Sequence, residues 1–317
     1  MPLITEPQQF NVGDLYVDLA GIVGQPLYLK CEGFNFAGSI KLKAAAEMVA
    51  AAERAGILGP DSVLVESSSG NLGVALSMIL AGRGRPFECV TDIRCNPSAI
   101  RLMESYGATV HVIAEPAADG GFLTARLDRV RALCADDSRY VWLNQYANPD
   151  NWGAHYRTTG PEIFKQFPET EVLFVGAGTT GTLMGCARYV RDEKLPVKVV
   201  AVDAVGSVTF GRPPSRRLIP GLGTSTPPAI FDASFADDVV HVAEPDAIAV
   251  CRTLAGHGFL FGGSTGTVLA GALDWLSRNP MSGTGVLIAP DLGERYLDSV
   301  YDDGWLATNY ETEGAAR

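Results

Sequence analysis

The stretch Val63-Leu64-Val65-Glu66-Ser67-Ser68-Ser69-Gly70-Asn71-Leu72-Gly73 combines a short apolar strand pattern, a turn rich in serine and glycine, and the start of a helical pattern. The same order returns further along the chain, where an apolar run leads into Gly176-Ala177-Gly178-Thr179-Thr180-Gly181-Thr182 and an amphipathic stretch. Strands, glycine turns and helices in alternation are typical of parallel sheets with helices on both faces. The sequence therefore predicts an α/β fold.

The alternation of strand and helix patterns extends in both directions from these two stretches. Predicted strands cover residues 62–66, 87–92, 109–115, 140–143, 171–175, 198–203 and 285–289. Predicted helices cover residues 44–55, 74–81, 98–106, 123–133, 181–191 and 266–276. A polar turn at 148–150 marks a domain boundary, and the proline-rich segment 211–230 cannot be regular throughout. We expect two α/β domains with a cleft between them, and a functional role for the long loop.

Composition and charge restrict the class of protein. The chain has 317 residues, 47% of them hydrophobic, and a formal net charge of -11. This composition is globular, and the surplus of acid argues against a nucleic acid as partner. No apolar run of about 18 residues predicts a membrane helix, and the first residues lack the pattern of a signal peptide. Since the cysteines are dispersed, we expect no metal site and a cytoplasmic enzyme or binding protein.

The first glycine turn, at residues 67–73, presents hydroxyl and amide donors where a helix begins. Backbone N–H groups at such a position attract carboxylates or phosphates. The turn is therefore suited to the carboxylate of an amino acid. An ordinary serine N-cap followed by a tight glycine turn explains the same residues without any ligand.

The second turn, at residues 176–182, matches the dinucleotide fingerprint GxGxxG, and Asp203 closes the following strand. These residues suit an NAD-dependent oxidoreductase. However, the turn carries three threonines, more hydroxyls than a dinucleotide turn usually shows. A terminal phosphate monoester carries more charge than a bridging pyrophosphate and uses many donors. The motif alone does not separate the two ligands.

The third turn, Gly262-Gly263-Ser264-Thr265-Gly266, again opens a helix, and Gly38-Ser39-Ile40-Lys41 stands at the head of an alanine-rich helix. A lysine in a first helical turn meets the positive end of the helix dipole. If it is also shielded from water, its amine has a lowered pKa and becomes a usable nucleophile. A helix cap and a solvated lysine explain the same residues without function. Lys43 is expected at the surface.

Together, the lysine and the three turns form a set that matches pyridoxal 5′-phosphate (PLP). The aldehyde of PLP would bond to Lys41, its phosphate would lie in the threonine-rich turn, and a hydroxyl of the third turn would face its ring nitrogen. The serine-rich turn would take the α-carboxylate of the substrate. An NAD-dependent enzyme needs neither the lysine nor the first and third turns.

The same residues, in order and at matching spacing, resemble the PLP-dependent cysteine synthase family, of fold type II, over nearly the whole chain. The segments that carry the resemblance are Asn35-Phe36-Ala37-Gly38-Ser39-Ile40-Lys41, Ser68-Ser69-Gly70-Asn71, Gln145-Tyr146, Gly178-Thr179-Thr180-Gly181-Thr182, Gly221-Leu222-Gly223 and Ser264. The resemblance implies two domains, each a mostly parallel sheet with helices on both faces, and an active site in the interdomain cleft. It implies a smaller, mobile substrate-loop domain at 42–147, a larger cofactor-binding domain at 1–41 plus 148–317, and a homodimer.

Roles for the site residues follow from the resemblance, position by position. Lys41 is expected to hold PLP and then to act as a general base. Asn71 is expected to bind the 3′-oxygen of PLP, and Ser264 to face its pyridine nitrogen. The residues expected around the phosphate are Gly178, Thr179, Thr180, Gly181 and Thr182. The residues expected to bind substrate are Ser68, Ser69, Gly70, Asn71, Gln145, Tyr146 and Gly221.

A narrower likeness is to the N-(2-amino-2-carboxyethyl)-L-glutamate synthases. It rests on residues 69–73, 144–148 and 203–207, and on Pro290-Asp291-Leu292-Gly293-Glu294-Arg295-Tyr296-Leu297-Asp298. It implies β-replacement on O-phospho-L-serine by L-glutamate through an aminoacrylate, a step toward 2,3-diaminopropionate for siderophores or peptide antibiotics. Phe36-Ala37, Leu42-Lys43 and Leu72 depart from the cysteine synthase pattern. The alternative is a cysteine synthase that uses O-acetyl- or O-phospho-L-serine and sulfide.

The carboxylates of the second substrate need basic or hydroxyl partners. Candidates are Arg126, Tyr146, Arg212, Arg216 and Arg217, since the planar fork of arginine suits carboxylate and phosphate alike. For any single arginine, a solvated surface position is an equally simple explanation. Outside the family, an NAD-dependent oxidoreductase and a catalytically idle regulatory protein on this fold are the other interpretations.

Overall fold

The computed structural model of the chain describes residues 3–118 and 121–310. The strands, in chain order, are β1 (Tyr16–Asp18), β2 (Leu27–Cys31), β3 (Val63–Ser67), β4 (Phe87–Asp92), β5 (Thr109–Ile113), β6 (Tyr140–Trp142), β7 (Thr170–Gly176), β8 (Lys198–Ala204), β9 (Asp238–Val242) and β10 (Thr284–Ala289). The α-helices are α1 (Ala20–Val23), α2 (Lys41–Arg54), α3 (Asn71–Gly82), α4 (Pro97–Ser105), α5 (Phe122–Asp136), α6 (Pro149–Arg157), α7 (Thr159–Gln166), α8 (Gly181–Asp192), α9 (Glu244–Gly256), α10 (Gly263–Arg278) and α11 (Asp303–Tyr310).

The strands form two sheets. The 4-stranded sheet has the order β5-β4-β3-β6 and is parallel throughout. The 6-stranded sheet has the order β1-β2-β10-β7-β8-β9, and its edge strand β1 runs antiparallel to β2. Parallel neighbours need long crossovers, which the intervening helices supply. The predicted α/β fold of mostly parallel sheets is confirmed.

Each predicted strand is present, with bounds that differ by a residue or two. The apolar pattern does not reveal β1, β2 and β9. Lys30 interrupts the run in β2, and Asp238 and His241 interrupt the run in β9. Short strands with a polar residue lack the continuous apolar run that marks a buried parallel strand.

Three helices begin earlier than their apolar periodicity predicts. Helix α2 begins at Lys41, α3 at Asn71 and α10 at Gly263, each of them within a predicted turn motif. The turn residues form the first helical turn because their backbone N–H groups need no intrahelical partner. The chemistry-bearing side chains therefore lie at helix N-termini.

The positions of the sheets along the chain bear on domain organisation. Strands of the 4-stranded sheet lie within residues 63–142, and strands of the 6-stranded sheet lie within 16–31 and 170–289. The division into 42–147 and 1–41 plus 148–317 stays a prediction. Residues 211–230 contain neither helix nor strand, as the prolines predict. Within 3–118 and 121–310, no helix combines the length and apolar character needed to cross a bilayer.

Each sheet has its own apolar core. Met48 and Leu76 pack beneath the 4-stranded sheet. Leu29, Phe174 and Trp275 pack on the 6-stranded sheet, with the two aromatic rings edge to face at 5.6 Å. Burial of apolar surface stabilises each core by about 25 cal/mol per Å². The two rigid cores hold the strand ends, and the loops that follow them, in place.

The expectation that Lys43 is a surface residue is wrong. Its ammonium group forms ion pairs with Glu32 at 2.8 Å and Glu162 at 2.6 Å, and its side chain is only 4% exposed. Lys30, also fully buried, pairs with Glu162 at 2.9 Å. Lys43 also donates a hydrogen bond to Thr159 at 3.3 Å. The cluster of two lysines and two glutamates joins β2, α2 and α7, and its opposite charges compensate each other.

We expect Lys43→Met to lower the free energy of unfolding by about 3 kcal/mol, because removal of one ion leaves buried carboxylates uncompensated. Urea-induced unfolding followed by circular dichroism measures this change. Lys165→Met is the control, since Lys165 is exposed on α7, and such a surface change alters stability by within about 0.5 kcal/mol. Equal stability of the two variants would contradict the role assigned to the cluster.

Candidate active site

A cavity of about 550 Å³ is lined by residues that follow the carboxyl ends of β3, β7 and β10, strands that belong to both sheets. Open α/β sheets bind ligands at this edge. The predicted site residues that line the cavity are Lys41, Ser68, Ser69, Gly70, Asn71, Arg126, Gln145, Tyr146, Gly178, Thr179, Thr180, Gly181, Thr182, Arg216, Arg217, Gly221 and Ser264. Residues that are distant in sequence thus share one cavity, while their individual roles stay predictions.

Lys41 is the first residue of α2, and its Nζ lies 3.3 Å from the hydroxyl of Thr179. Burial lowers the pKa of Lys41 to about 8, although the nearby Glu66 carboxylate acts in the opposite direction. The positive end of the helix dipole also disfavours the charged amine. A substantial fraction of Lys41 is therefore neutral, and nucleophilic, near physiological pH.

The threonine-rich turn connects β7 to α8 and presents the N-terminus of α8 to the cavity. A Cβ atom at Gly178 would lie 2.5 Å from the carbonyl oxygen of Gly221, so this close approach requires glycine. The hydroxyl of Thr180 is buried and has no hydrogen-bond partner among the described residues. A helix N-terminus with an unpaired hydroxyl beside it is suited to an anion.

Ser264 lies in the first turn of α10, 2% exposed, and lines the cavity. A Cβ atom at Gly221 would lie 2.1 Å from the Ser264 hydroxyl oxygen. The proline-rich segment therefore packs directly on the third turn. Gly221, whose role in substrate binding stays a prediction, lies close to both the second turn, at Gly178, and the third turn, at Ser264.

The serine-rich turn begins α3. The Ser68 hydroxyl accepts hydrogen bonds from the backbone N–H groups of Gly70 and Gly73, at 3.1 and 2.9 Å. Ser68 thus stabilises the turn itself, whereas Ser69 is exposed in the cavity wall. The Asn71 side chain donates to Asp291 at 2.8 Å and accepts from Arg295 at 2.6 Å.

Gln145 is buried and forms hydrogen bonds with residues at the start of the serine-rich turn. Its side chain donates to the carbonyl of Ser67 at 2.8 Å, and its backbone N–H donates to Glu66 at 3.2 Å. Burial raises the pKa of Glu66 to about 7, against the hydrogen bonds from Trp142, Ser67 and Gln145. Gln145 and Glu66 therefore connect the ends of β3 and β6.

The predicted arginines differ in their surroundings. Arg126 on α5 is 6% exposed, its Nε lies 3.2 Å from Asp92, and Nη1 has no hydrogen-bond partner within the described part of the chain. Burial raises the pKa of the neighbouring Tyr146, and the positive charge of Arg126 acts against this shift. Arg216 and Arg217 line the cavity as well, but Arg217 donates to the carbonyl of Gly206 and Arg216 to Asn309 at 3.2 Å.

Arg212 is exposed and does not belong to the residues that line the cavity. It is the one arginine candidate that the fold leaves outside. Among the candidates, Arg126 combines the deepest burial with an N–H group that lacks a protein partner. A buried cation of this kind is stabilised by an anionic ligand.

Sequence reasoning missed several residues around the site. Asn151 donates to Thr179 at 3.1 Å and to the carbonyl of Gln145 at 2.7 Å. The buried ring of His155 lies 3.3 Å from the Thr182 hydroxyl, and burial holds the pKa of His155 well below its usual value. Arg94 and Arg295 line the cavity. Arg295 stands in a motif quoted above only for its likeness, so the signal was present without an assigned role.

These residues fit PLP better than a dinucleotide. The unpaired Thr180 hydroxyl and the N-terminus of α8 suit a phosphate, and an amine of lowered pKa lies at the same turn. Asp203, which a dinucleotide site would use to bind ribose, is fully buried, accepts from the backbone of Ala204 at 2.8 Å, and does not line the cavity. The GxGxxG match therefore lacks the acid that an NAD site needs.

Comparison with curated proteins finds relatives over most of the chain. An N-(2-amino-2-carboxyethyl)-L-glutamate synthase of Cupriavidus metallidurans is 40% identical over 294 residues, which cover 91% of this chain and 86% of the relative. A protein of the same name from Ralstonia nicotianae is 40% identical over 283 residues, covering 89% and 84%.

Comparison with solved structures gives the same fold. O-ureido-L-serine synthase superposes with a TM-score of 0.85 at 31% identity, covering 96% of this chain and 100% of that structure. A hydrogen sulfide-producing enzyme from Fusobacterium nucleatum superposes with a TM-score of 0.86 at 29% identity, covering 93% and 100%. Residues 16–291 match the family described as pyridoxal-phosphate dependent enzyme. With this match, the fold and the site geometry, the chain belongs to the pyridoxal-phosphate dependent enzymes, in the branch of the cysteine synthases.

Proposed function

We propose that the chain catalyses a β-replacement in which L-glutamate displaces phosphate from O-phospho-L-serine to form N-(2-amino-2-carboxyethyl)-L-glutamate. The Cβ–O bond of the phosphoserine breaks, and the phosphate leaves with the electron pair. A bond forms between Cβ and the amine nitrogen of glutamate, which loses a proton. The reaction needs no external oxidant or reductant.

The observation that carries this proposal is the charge of the cavity. The chain as a whole has a net charge of -11. Besides Lys41, whose amine would bind the aldehyde of PLP, the basic residues that line the cavity are Arg94, Arg126, Arg216, Arg217 and Arg295. Asp92 is the only acidic residue among its described lining residues. Two strongly anionic substrates suit such a cavity, because clefts lined by one sign of charge concentrate the opposite sign.

The residues proposed to hold PLP all line the cavity. Lys41 would bind the aldehyde, residues 178–182 the phosphate, Ser264 the ring nitrogen and Asn71 a ring oxygen. When bound, PLP supplies the electron sink that makes the α-proton of an amino acid acidic. The protein supplies orientation, exclusion of water and a base.

Lys41 is the proposed base. Because burial brings the pKa of its amine to about 8, Lys41 exchanges a proton readily near neutral pH. It would take the proton from Cα of the donor amino acid and return one to the product. The neighbouring hydroxyl of Thr179, 3.3 Å from Nζ, orients the amine.

The proposed substrate contacts are the start of α3 and Arg126, which both line the cavity. The N-terminus of α3 and Ser69 suit the α-carboxylate of the donor, since helix N-termini bind anions. Arg126 suits a phosphate or carboxylate because Nη1 is buried without a hydrogen-bond partner among the described residues. Its partner Asp92 holds the guanidinium in place.

A second candidate function is cysteine synthesis from O-acetyl- or O-phospho-L-serine and sulfide. The likeness to an O-acetyl serine sulfhydrylase of Entamoeba histolytica, at a TM-score of 0.86 and 26% identity over 95% of this chain and 92% of that structure, favours it. Sulfide is small and carries little charge, so it gives no reason for the arginines of the cavity. The charge of the cavity therefore favours the glutamate reaction.

The direct test supplies the purified PLP-loaded enzyme with O-phospho-L-serine and L-glutamate. We expect a product whose mass is that of N-(2-amino-2-carboxyethyl)-L-glutamate, with one phosphate released per product molecule. Mass spectrometry and a phosphate assay measure both. Parallel reactions replace glutamate by sulfide, and faster turnover with sulfide would assign the second function instead.

We expect Arg126→Met to lower kcat/KM by roughly 10- to 100-fold, the effect of losing a charged hydrogen bond to substrate. The substrate whose KM rises is the one that Arg126 binds. Arg126→Lys keeps the charge beside Asp92 and tests whether the planar fork is needed. Arg129→Met, exposed on the same helix, is the matched control. An Arg126→Met enzyme with unchanged KM for both substrates would refute the contact.

Labelling of the cofactor-free chain with an amine-selective reagent tests the state of Lys41. Only the neutral amine reacts, so the rate at Lys41 should rise with pH and level off above its pKa of about 8. A lysine in an unstructured peptide, with a pKa of about 10.4, is the reference. Peptide mass spectrometry follows the label, and PLP should protect Lys41 from it. A midpoint equal to that of the reference peptide would contradict the assignment.

A further inference from the structure

The segment that follows β10 lies where three parts of the cavity wall meet. The backbone N–H of Ile40 donates to the carbonyl of Pro290 at 2.7 Å, beside Lys41. The backbone N–H of Gly262 donates to the carbonyl of Asp291 at 3.1 Å, next to the turn that carries Ser264. The Asp291 side chain reaches Asn71 at the start of α3. Pro290 and Asp291 together therefore contact all three parts of the cavity wall.

Asp291 and Arg295 determine the orientation of the Asn71 side-chain amide. Its Nδ2 donates to Asp291 Oδ2 at 2.8 Å, and its Oδ1 accepts from Arg295 Nη1 at 2.6 Å. A carboxylate only accepts and a guanidinium only donates, so the reversed amide would lose both hydrogen bonds. Asp291 takes one of the two N–H groups of Nδ2. The other has no protein acceptor among the described residues, and Asn71 lines the cavity.

Asp291 and Arg295 are themselves held in place by further hydrogen bonds. The Tyr296 hydroxyl donates to Asp291 Oδ2 at 2.5 Å, and Arg295 Nη2 donates to the carbonyl of Ala37 at 2.6 Å. Asp291 is 1% exposed and Tyr296 is 3% exposed. A Cβ atom at Gly262 would lie 2.1 Å from Asp291 Oδ1, so glycine makes room for the carboxylate. Burial raises the pKa of Asp291, and the positive charge of the half-buried Arg295 acts against this shift.

We propose that Asp291 and Arg295 are positioning residues that hold the Asn71 amide with its second N–H directed to an oxygen of PLP. The inference rests on the proposed function only in placing PLP against Asn71. It does not depend on which amino acids react. A merely structural role, in which Asp291 and Tyr296 only stabilise the segment that follows β10, makes a different prediction, because Asp291 would then act independently of Asn71.

The test is the affinity of the full-length chain for PLP after the cofactor has been removed, followed by absorbance during titration. Asn71→Ala should weaken PLP binding about tenfold, as expected for one buried hydrogen bond. Asp291→Ala and Arg295→Met should each weaken it by a similar factor and shift the visible band of the bound cofactor. In the Asn71→Ala background, Asp291→Ala should add less than about twofold, since residues that act through one contact are not additive.

A milder pair of variants keeps the proposal testable if Asp291→Ala fails to fold. Tyr296→Phe removes the hydroxyl that donates a hydrogen bond to Asp291. It should weaken PLP binding about threefold, which corresponds to a fraction of the free energy of one hydrogen bond. Tyr140→Phe is the matched control, because the Tyr140 hydroxyl donates to Glu88 at 2.7 Å and neither residue lines the cavity. It should leave PLP affinity unchanged.

Two results would overturn the proposal. One is that Asp291→Ala, or Tyr296→Phe, weakens PLP binding as much in the Asn71→Ala background as in the original chain. The other is that these variants bind PLP with unchanged affinity and an unchanged visible band. Neither measurement contains O-phospho-L-serine or glutamate. Failure of the proposed reaction is therefore distinguishable from failure of this inference.

Discussion

Lys41 stands at the N-terminus of α2, where its amine meets both a surrounding poor in water and the positive end of the helix dipole. Both effects disfavour the charged form, and burial brings the pKa to about 8. The Glu66 carboxylate opposes this shift, so the amine is not driven to full neutrality. The other parts of the site lie around this amine, which belongs to the only lysine among the described residues that line the cavity.

The glycine turns place ligand-binding donors around that amine. Three helices, α2, α3 and α10, begin at Lys41, Asn71 and Gly263, and α8 begins in the threonine-rich turn. Their unpaired N–H groups give the cavity a positive potential without any side chain. The arginines add to this potential. An acidic protein thereby presents a cationic cavity, and the separation of charge is a property of the tertiary structure.

Polar side chains connect the two sheets at the cavity. Asn71, at the end of the 4-stranded sheet, bonds to Asp291 and Arg295, which follow the 6-stranded sheet. Asn96 at the start of α4 donates to the carbonyl of Arg295. Such directional contacts specify one placement of the two sheets relative to each other. Each of these hydrogen bonds can be replaced by a hydrogen bond to water or to a ligand. Because Asn71, the proposed cofactor contact, is also an inter-sheet contact, cofactor binding would be coupled to the geometry of the cleft.

The local sequence determined the α/β class and the motifs that meet in the cavity, because both depend on short-range patterns: apolar runs, glycine turns and helix starts. Lys41 and Lys43 show what such local patterns do not predict. Both are lysines in one helical turn, yet one faces the cavity and the other forms a buried ion cluster with Glu32 and Glu162. The partners that decide this come from β2 and α7, which no local pattern connects with α2.

The same limit applies to the arginines and to Asp291. Sequence chemistry offered no reason to prefer one of the candidates Arg126, Arg212, Arg216 and Arg217. The packing of the fold distinguishes them, because it buries Arg126 and places Arg212 outside the cavity. Asp291 lies 220 residues from Asn71 along the chain. Its contact with Asn71 exists only once β10 is in place beside β7. The sequence by itself therefore determined which chemistry is available, and the tertiary structure decided which residues share a solvent-poor space, because burial and pairing depend on long-range contacts.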